Sequence, residues 1–240
     1  MVLGYFKEIK NAGRRFRRTL RIREEIVTGL LETRSDVAIS LIGGRLCLDF
    51  VNTVGARLVE RSGKVTVRDE KLADYLDLLA WMQHAQALSA AQVTALAEAA
   101  SRRRREASSV FREALLLRES LHRIFYAIVT HRKPNGADVD LLNEAALKAF
   151  ASRRLVPRAG RWTWHWEDDD TSLEKPLWLI VDSAVETLMD GDSSRLRLCA
   201  GDDCGWIFED TSRNRSRRWC DAGDCGNREH VRKFRERERR

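Results

Sequence analysis

The chain contains 240 residues, and 43% of them are hydrophobic, which is enough for one medium domain plus a small one, or for two modest domains. Lys and Arg number 43 against 36 Asp and Glu, so the formal net charge is +7. No apolar run approaches the ~18 residues that a membrane-spanning helix needs, and no apolar N-terminal stretch ends in a small-residue cleavage site. We therefore expect no membrane association, no secretory signal and reduced cysteine thiols.

The positive charge is concentrated at the two ends of the chain. Residues 1–34 hold nine basic and four acidic side chains, and residues 213–240 hold 11 basic and five acidic ones, which leaves a net charge of −4 on the residues between them. A mildly acidic body with two basic ends predicts that a polyanion binds at an end. We interpret residues 1–38 as a basic extension that is either amphipathic or disordered.

The compact part of the chain begins after a glycine turn, and helices dominate it. Residues 45–53 form either a buried strand or a short apolar helix, because periodicity cannot separate the two over so short a run. Helical periodicity and a capping-box spacing then predict five helices. Their signals lie at Leu72–Met82, after Ser89, at Leu117–Ile128, at Val139–Phe150 and at Leu173–Leu188.

One segment in this helical region has the period of a strand. Trp162, Trp164 and Trp166 alternate with polar residues behind Pro157 and Gly160, which predicts a β-hairpin. We expect its tryptophan face to pack on the helices, and stacking on a ligand is the alternative. The fold class is therefore mainly α, within α+β: a helical domain over residues 39–192 with a small β-hairpin element, followed by a separate C-terminal module over residues 193–240.

Four of the five cysteines lie in that module, with the pattern Cys199-x4-Cys204-x15-Cys220-x4-Cys225. Two close pairs separated by a spacer suit a tetrahedral metal ion, and four thiolates favour one structural Zn²⁺ because they leave no open position for water. An iron–sulfur centre and a pair of disulfides are the alternatives.

Two further residues of metal-binding type are assigned other roles. His230 follows Cys225 closely enough to compete as a ligand, but we expect it to face solvent. The fifth cysteine, Cys47, stands in an apolar run and is interpreted as a small buried hydrophobic residue.

The order of elements around the cysteines predicts a treble-clef-like zinc finger. The first pair precedes a short strand at Trp206–Phe208, and the second pair lies at the start of a helix that runs toward Arg239. We expect Val231 and Phe234 of this helix to pack against the zinc module, on Trp219 or Trp206.

Arginines surround the predicted metal site in two sets. Four lie along one face of the last helix, and four fill the spacer between the cysteine pairs. They are Arg228, Arg232, Arg235 and Arg239 in the helix, and Arg213, Arg215, Arg217 and Arg218 in the spacer. Guanidinium groups suit phosphates and guanine edges, so we interpret both sets as nucleic-acid-binding residues. A solvated charged tail is the alternative, because Glu229, Glu236 and Glu238 lie among them.

Two segments resemble known families. The C-terminal module is similar to the CGNR zinc finger, and Gly44–Thr53 resembles the opening of the ABATE domain, the usual partner of that finger. The residues that carry the finger resemblance are Cys204-Gly205-Trp206-Ile207-Phe208, Ser212-Arg213-Asn214, Ser216-Arg217-Arg218-Trp219-Cys220 and Cys225-Gly226-Asn227-Arg228. The resemblance covers roughly residues 39–240. Residues 222–224, Ala-Gly-Asp, and the long N-terminal extension depart from the family pattern.

This resemblance implies a bacterial, stress-induced transcription regulator with a DNA-binding zinc finger and a helical domain that binds a ligand. It implies that Cys199, Cys204, Cys220 and Cys225 hold the zinc, and it places the protein in the cytoplasm, at the nucleoid. A homodimer would strengthen DNA binding through avidity.

Polar residues in the body offer a candidate ligand site. Asp49 and Asn52 stand in an apolar run and need partners when buried, and Arg118 or Arg123 could supply them. These four residues either line a small-ligand pocket or tie the first segment to the helices.

Other functions stay open from the sequence. One is an RNA- or ribosome-associated zinc protein, and another is an enzyme or a protein-interaction module with a structural zinc. We expect no enzyme, because we find no phosphate-binding loop, dinucleotide fingerprint, HExxH motif or nucleophile–base pair.

Overall fold

The computed structural model describes residues 39–59, 65–166, 171–189 and 192–238. These residues form seven α-helices and three two-stranded antiparallel sheets. In chain order the elements are α1 (Leu46–Val51), β1 (Val54–Val59), β2 (Val65–Glu70), α2 (Tyr75–His84), α3 (Ala90–Arg102), α4 (Arg104–Val129), α5 (Gly136–Ala151), β3 (Arg153–Arg158), β4 (Arg161–Trp166), α6 (Lys175–Met189), β5 (Leu196–Leu198), β6 (Ile207–Glu209) and α7 (Asn227–Glu238). The basic extension predicted for residues 1–38 lies outside the described residues.

The predicted fold class, mainly α with a small hairpin element, is confirmed, and the five predicted helices are present, although the long helix α4 begins 13 residues before its first predicted position. Ser89 and Gln92 form the reciprocal capping box at the start of α3. Asn135, between Pro134 and Gly136, caps α5, because its side chain accepts from the Ala137 N–H. The ambiguous segment after the glycine turn is the short helix α1, whose Cys47 is fully buried as expected.

The hairpin β1–β2 was not predicted from the sequence. It pairs Val54 with Glu70 and Val59 with Val65, but four of the six residues of its second strand are exposed. A sheet this small leaves little alternation of hydrophobic and polar side chains to detect. Its importance lies in Arg57, a fully buried arginine that anchors β1 to the helices.

The hairpin predicted at the tryptophans is confirmed, but the packing expected of its tryptophan face is wrong for two of the three rings. Trp166 packs against Trp178 of α6, with ring centroids 5.8 Å apart. Trp162 and Trp164 are 70% and 60% exposed. The hairpin is therefore anchored to the helices at Trp166, and its other two tryptophans are exposed.

One hydrophobic core joins the helices and the last two strands. It is built by apolar side chains from α1 to α6, and it also contains Leu196 of β5 and Ile207 of β6. A second, smaller cluster surrounds the four C-terminal cysteines together with Phe208. Among the described residues, no helix is both long and apolar enough to cross a membrane.

Candidate metal centre and arginine surface

The four C-terminal cysteines converge on one point. All four are buried, and their sulfur atoms lie within 4.8 Å of one another. The Sγ of Cys220 is 3.6 Å from that of Cys204 and 3.5 Å from that of Cys225. Tetrahedral zinc with Zn–S bonds of ~2.3 Å places its sulfurs about 3.8 Å apart. The donor set therefore fits a single structural zinc ion, and the sulfur separations are far from the ~2.05 Å of a disulfide.

The first cysteine pair lies in the turn of the hairpin β5–β6. The Cys199 N–H donates to the Trp206 carbonyl at 2.8 Å, and Leu198 pairs with Ile207. Gly205 closes the turn with a φ of +71°, a backbone conformation that favours glycine. The short sheet thus holds both sulfurs on the same side of a tight knuckle.

The second pair lies at the start of a helix, as the treble-clef-like prediction required. Cys225 belongs to a single π-helical turn, Ala222–Gly226, that runs directly into α7. The Asp221 side chain caps this turn by accepting from the N–H groups of Gly223 and Asp224. The cap and the metal together fix the direction in which α7 leaves the site.

Several donors are aimed at the sulfur atoms. The N–H groups of Gly201 and Cys220 donate to Cys199 Sγ at 3.5 and 3.3 Å. Arg228, the arginine of the Cys-Gly-Asn-Arg tetrapeptide, donates from Nη2 to Cys225 Sγ at 3.0 Å. Such bonds stabilise thiolate charge and orient metal ligands. Four protein ligands leave no position open for water, so a zinc ion held here supports the fold and not a reaction.

Without a cation, the crowded sulfurs do not all ionise, and hydrogen bonds from Cys204 and Cys220 lower the pKa of Cys199 at the expense of its neighbours. Hydrogen bonding with the Cys199 sulfur raises the pKa of both Cys204 and Cys220 above its ordinary value. A divalent cation reverses this preference, because it stabilises all four thiolates and releases their protons. Folding of the knuckle and binding of zinc are therefore coupled.

We expect Arg228→Ala to weaken zinc binding by roughly 10–100-fold, the range for loss of a partner that orients a metal ligand. The affinity is measured by competition with a chromophoric zinc chelator. Arg235→Ala is the matched control, because it removes the same charge from α7 without touching a sulfur. Equal loss of zinc affinity in both variants would contradict the role assigned to the Arg228–Cys225 contact.

The knuckle is docked on the helical body by backbone groups. The Arg57 N–H donates to the Cys204 carbonyl at 2.9 Å, and the Trp206 indole N–H donates to the Val54 carbonyl at 2.8 Å. A Cβ at Gly205 would lie 2.6 Å from the Arg57 carbonyl oxygen. Strand β1 and the metal-binding turn are therefore in direct contact, and only glycine fits between them.

Asn52 supplies the most buried polar connection between the body and the finger. Its side-chain amide donates to the Ile207 carbonyl at 2.8 Å and accepts from the Ile207 N–H at 3.1 Å, and both residues are fully buried. Nearby, the Glu209 N–H donates to the Gly43 carbonyl at 2.8 Å. The division at residues 192–193 stays a prediction, but these contacts make the two parts share one interior.

The expected pairing of Asp49 and Asn52 with Arg118 or Arg123 is wrong. Asp49 accepts from the Gly43 N–H at 2.7 Å, and burial raises its pKa to about 6. Arg118 pairs with Glu70 at 2.6 Å and Arg123 with Asp138 at 2.6 Å. The four residues lie in separate hydrogen-bonded groups and do not converge on a common pocket. They hold the body together and, through Asn52, hold the finger to it.

Two residues that connect the body to the knuckle were missed in the sequence. Arg57 donates to the Val51 carbonyl at 2.6 Å and pairs with Glu119 at 3.0 Å. His122 lies 3.4 Å from the Gly205 carbonyl oxygen, and burial lowers its pKa to about 3, so its ring is neutral. No sequence signal distinguishes either residue from the many charged side chains that face solvent.

We expect Asn52→Ala to destabilise the whole protein, because it leaves the buried N–H and carbonyl of Ile207 without partners at a cost of about 1–3 kcal/mol each. Urea unfolding at fixed zinc concentration measures the change, with exposed Asn143→Ala on α5 as the control. A stability equal to that of the control would show that the amide does not couple the two parts.

The structure assigns different surroundings to the predicted nucleic-acid-binding arginines. Arg217 supports the fold: it donates to the carbonyls of Trp219 and Ile42 at 3.1 and 3.2 Å, and its guanidinium lies 4.3 Å from the centre of the Phe208 ring. Arg215 lies 3.6 Å from Asp192. Neither is a free cation on the surface.

The helix set is divided in the same way. Arg228 serves the sulfur of Cys225, and Arg232 pairs with Asp202 at 2.7 Å and with Glu229 at 2.8 Å. Arg235 is exposed and forms no ion pair with any described residue. Arg239, predicted as the fourth member, lies outside the described residues.

Three of the predicted nucleic-acid-binding arginines have no carboxylate partner among the described residues. Arg213 and Arg218 of the spacer are exposed, and the Arg218 guanidinium lies 5.1 Å from the centre of the Trp219 ring. The rings of Trp219 and of His230 in α7 form a T-shaped contact, with their centroids 5.6 Å apart. Trp219 thus joins the spacer to the helix that carries Arg235. We call Arg213, Arg218 and Arg235 the open arginine set.

The exposure of the α7 side chains tests two expectations, one about His230 and one about Val231 and Phe234. His230 faces solvent as predicted and lies outside the metal-binding group. Packing of Val231 and Phe234 on the zinc module is wrong, because both side chains are exposed and α7 buries none of its residues. Helix α7 meets the module through His230 and Arg232, and these two apolar side chains lie outside that contact.

Fold and site define a zinc-finger protein in which a four-cysteine knuckle is docked on a helical domain. Residues 44–191 match the ABATE family, described as "Putative stress-induced transcription regulator", and residues 195–238 match the CGNR zinc finger. The chain belongs to the ABATE family, and the resemblance seen in the sequence is confirmed. A comparison with curated proteins finds no match.

Proposed function

We propose that the protein is a transcription regulator that binds duplex DNA through the open arginine set of its zinc finger. The observation that carries the proposal is that the cysteine cluster and Trp219 connect the spacer to α7, and that three exposed guanidinium groups on these segments have no described carboxylate partner. Phosphates are suited to such groups, and each contact releases counterions. In this proposal, Arg217, Arg228 and Arg232 shape the finger and contribute little direct contact.

The same proposal makes the protein a binding protein and not an enzyme. In support, the thiol of Cys47 is fully buried between Ser183 and Thr187, and burial raises its pKa to about 11, which suits packing and not nucleophilic attack. The four remaining cysteines are occupied as metal ligands. Such a regulator acts in the bacterial cytoplasm, at the nucleoid.

The proposal includes a response to a small ligand or to stress. The contact between the finger and the helical body would transmit that response. Strand β1 contacts the knuckle at Gly205, and Asn52 follows helix α1. A signal that moves α1 or β1 would therefore also move the metal-binding turn. No ligand-binding role is needed for Asp49, Arg118 or Arg123 in this route.

The proposal is tested by binding to random duplex DNA over a series of salt concentrations, with zinc-loaded and chelator-stripped protein. We expect zinc-dependent binding whose logarithm falls linearly with the logarithm of salt concentration. Structured RNA is the competitor. Stronger binding to RNA than to duplex DNA would reassign the open arginine set to RNA, and no binding to either would overturn the proposal.

A triple variant Arg213→Ala/Arg218→Ala/Arg235→Ala should lower the salt slope by up to about 2.7, since each lost phosphate contact removes about 0.9 from it. The matched control is Arg102→Ala/Arg105→Ala/Arg112→Ala, which removes the same charge from exposed positions on the helical body. Equal slopes in the two triple variants would show that only net charge matters and would contradict a specific surface.

A further inference from the structure

An exposed aromatic face lies on the hairpin β3–β4, far along the chain from the cysteines. Leu155 is paired with Trp164, and Pro157 with Trp162, so these four side chains share one face of the hairpin. Trp162, Trp164 and Leu155 are more than half exposed. A contiguous face of exposed apolar side chains is typical of an interaction site.

The root of this hairpin is fixed to the helical body. Trp166 stacks on Trp178 of α6. Arg153 forms an ion pair with Asp182, and its guanidinium lies 4.4 Å from the centre of the Trp166 ring. Because the root is held by stacking and charge together, the tip is presented outward and does not fold back onto the helices.

A groove between α4, α5 and α6 adjoins the root of the hairpin. Its cavity is about 160 Å³, and its walls include Leu117, Leu141 and Leu177. Trp178 lines the same cavity, so the groove and the aromatic face meet at this residue. An apolar cavity of roughly 150 Å³ holds a benzene molecule. The groove is therefore large enough to accept the ring of an aromatic side chain.

The hairpin and the groove carry opposite charges. The hairpin carries four arginines and no acidic residue, namely Arg153, Arg154, Arg158 and Arg161. Arg158 lies directly opposite Arg161 beside the turn, and neither has a carboxylate partner among the described residues. Like charges in this arrangement repel unless an anion meets them. The groove supplies anions, because its rim contains Glu144 and Glu174 in addition to Glu113, which pairs with Lys148 at 3.5 Å.

We propose that two copies of the chain associate by exchanging hairpins, so that the Trp162 and Trp164 tip of each copy packs on the groove of the other, with one of the two rings in its cavity. Each copy has both a basic aromatic hairpin and an acidic apolar groove. A two-fold axis would therefore place each hairpin against the groove of the other copy. Nucleic acid or an anionic membrane is a poorer occupant, because either would be repelled by the three glutamates of the groove. The proposal does not depend on DNA binding.

The available area fits a reversible dimer. A tryptophan side chain offers about 150–250 Å². With 60% or more of each ring exposed, four rings in a dimer supply roughly 400–650 Å². The groove walls that cover them add a comparable area, and Leu116 and Leu155 add more. The total approaches the lower end of the ~1,200–2,000 Å² of specific interfaces, so we expect dissociation at micromolar concentrations.

The test uses two full-length variants and their mixture in sedimentation velocity. The hairpin variant is Trp162→Ser/Trp164→Ser, and the groove variant is Leu116→Arg/Glu144→Arg. All four positions are on the surface, and circular dichroism checks that each variant is folded. We expect a dimeric parent protein and two monomeric variants. Their mixture should form a heterodimer, because the intact hairpin of one variant fits the intact groove of the other.

Phe234→Ser on α7 is the matched control, since it removes an exposed aromatic ring outside the surface and should leave the dimer intact. A monomeric parent protein at concentrations well above micromolar would overturn the proposal. So would a dimer that neither variant weakens, or a mixture in which the two monomeric variants fail to associate. Quenching of Trp162 and Trp164 fluorescence by nucleic acid, with the protein monomeric, would assign the hairpin to that partner instead.

Discussion

Four buried sulfur atoms within 4.8 Å of one another are the constraint on which the C-terminal part of the structure depends. They cannot all carry negative charge without a cation between them. Helix α7 has no buried side chain of its own, so its direction comes from Cys225 and from the capped turn before it. The placement of every arginine on that helix therefore follows from metal binding, and not from a hydrophobic face of the helix.

The finger is also a structural part of the helical domain. Ile207 belongs to the main core, its backbone is bonded to Asn52, and the knuckle touches β1 without room for a side chain at Gly205. The Asn52 amide and the Ile207 backbone are buried and paired with each other at this contact, which makes its geometry specific. The polar residues of α1 that suggested a ligand pocket thus serve the contact between the two parts.

Much of this architecture could be predicted from local sequence signals. Cysteine spacing located the metal centre, the capping box at Ser89 located a helix, and the period of two in the tryptophans located a hairpin. Each of these signals is carried by residues close together in the chain. Contacts between distant residues could not be predicted in this way, because one sequence does not say which polar side chain meets which.

The errors share that physical origin. Asn52 was matched with arginines of a helix, but its partner is the backbone of a strand about 150 residues later. Val231 and Phe234 were expected inside because apolar residues usually are, yet both side chains are exposed. The open arginine set could be separated from Arg217 and Arg228 only when the positions of carbonyls and sulfurs were known.

The docking of the knuckle limits how far this zinc finger can be treated as a portable module. If residues 195–238 were cut out and fused to another protein, Leu196 and Ile207 would lose the apolar neighbours that cover them, and the Trp206 indole would lose the Val54 carbonyl. The isolated segment would expose an apolar surface that promotes association even with its metal bound. The finger therefore needs a partner domain that offers a matching apolar surface.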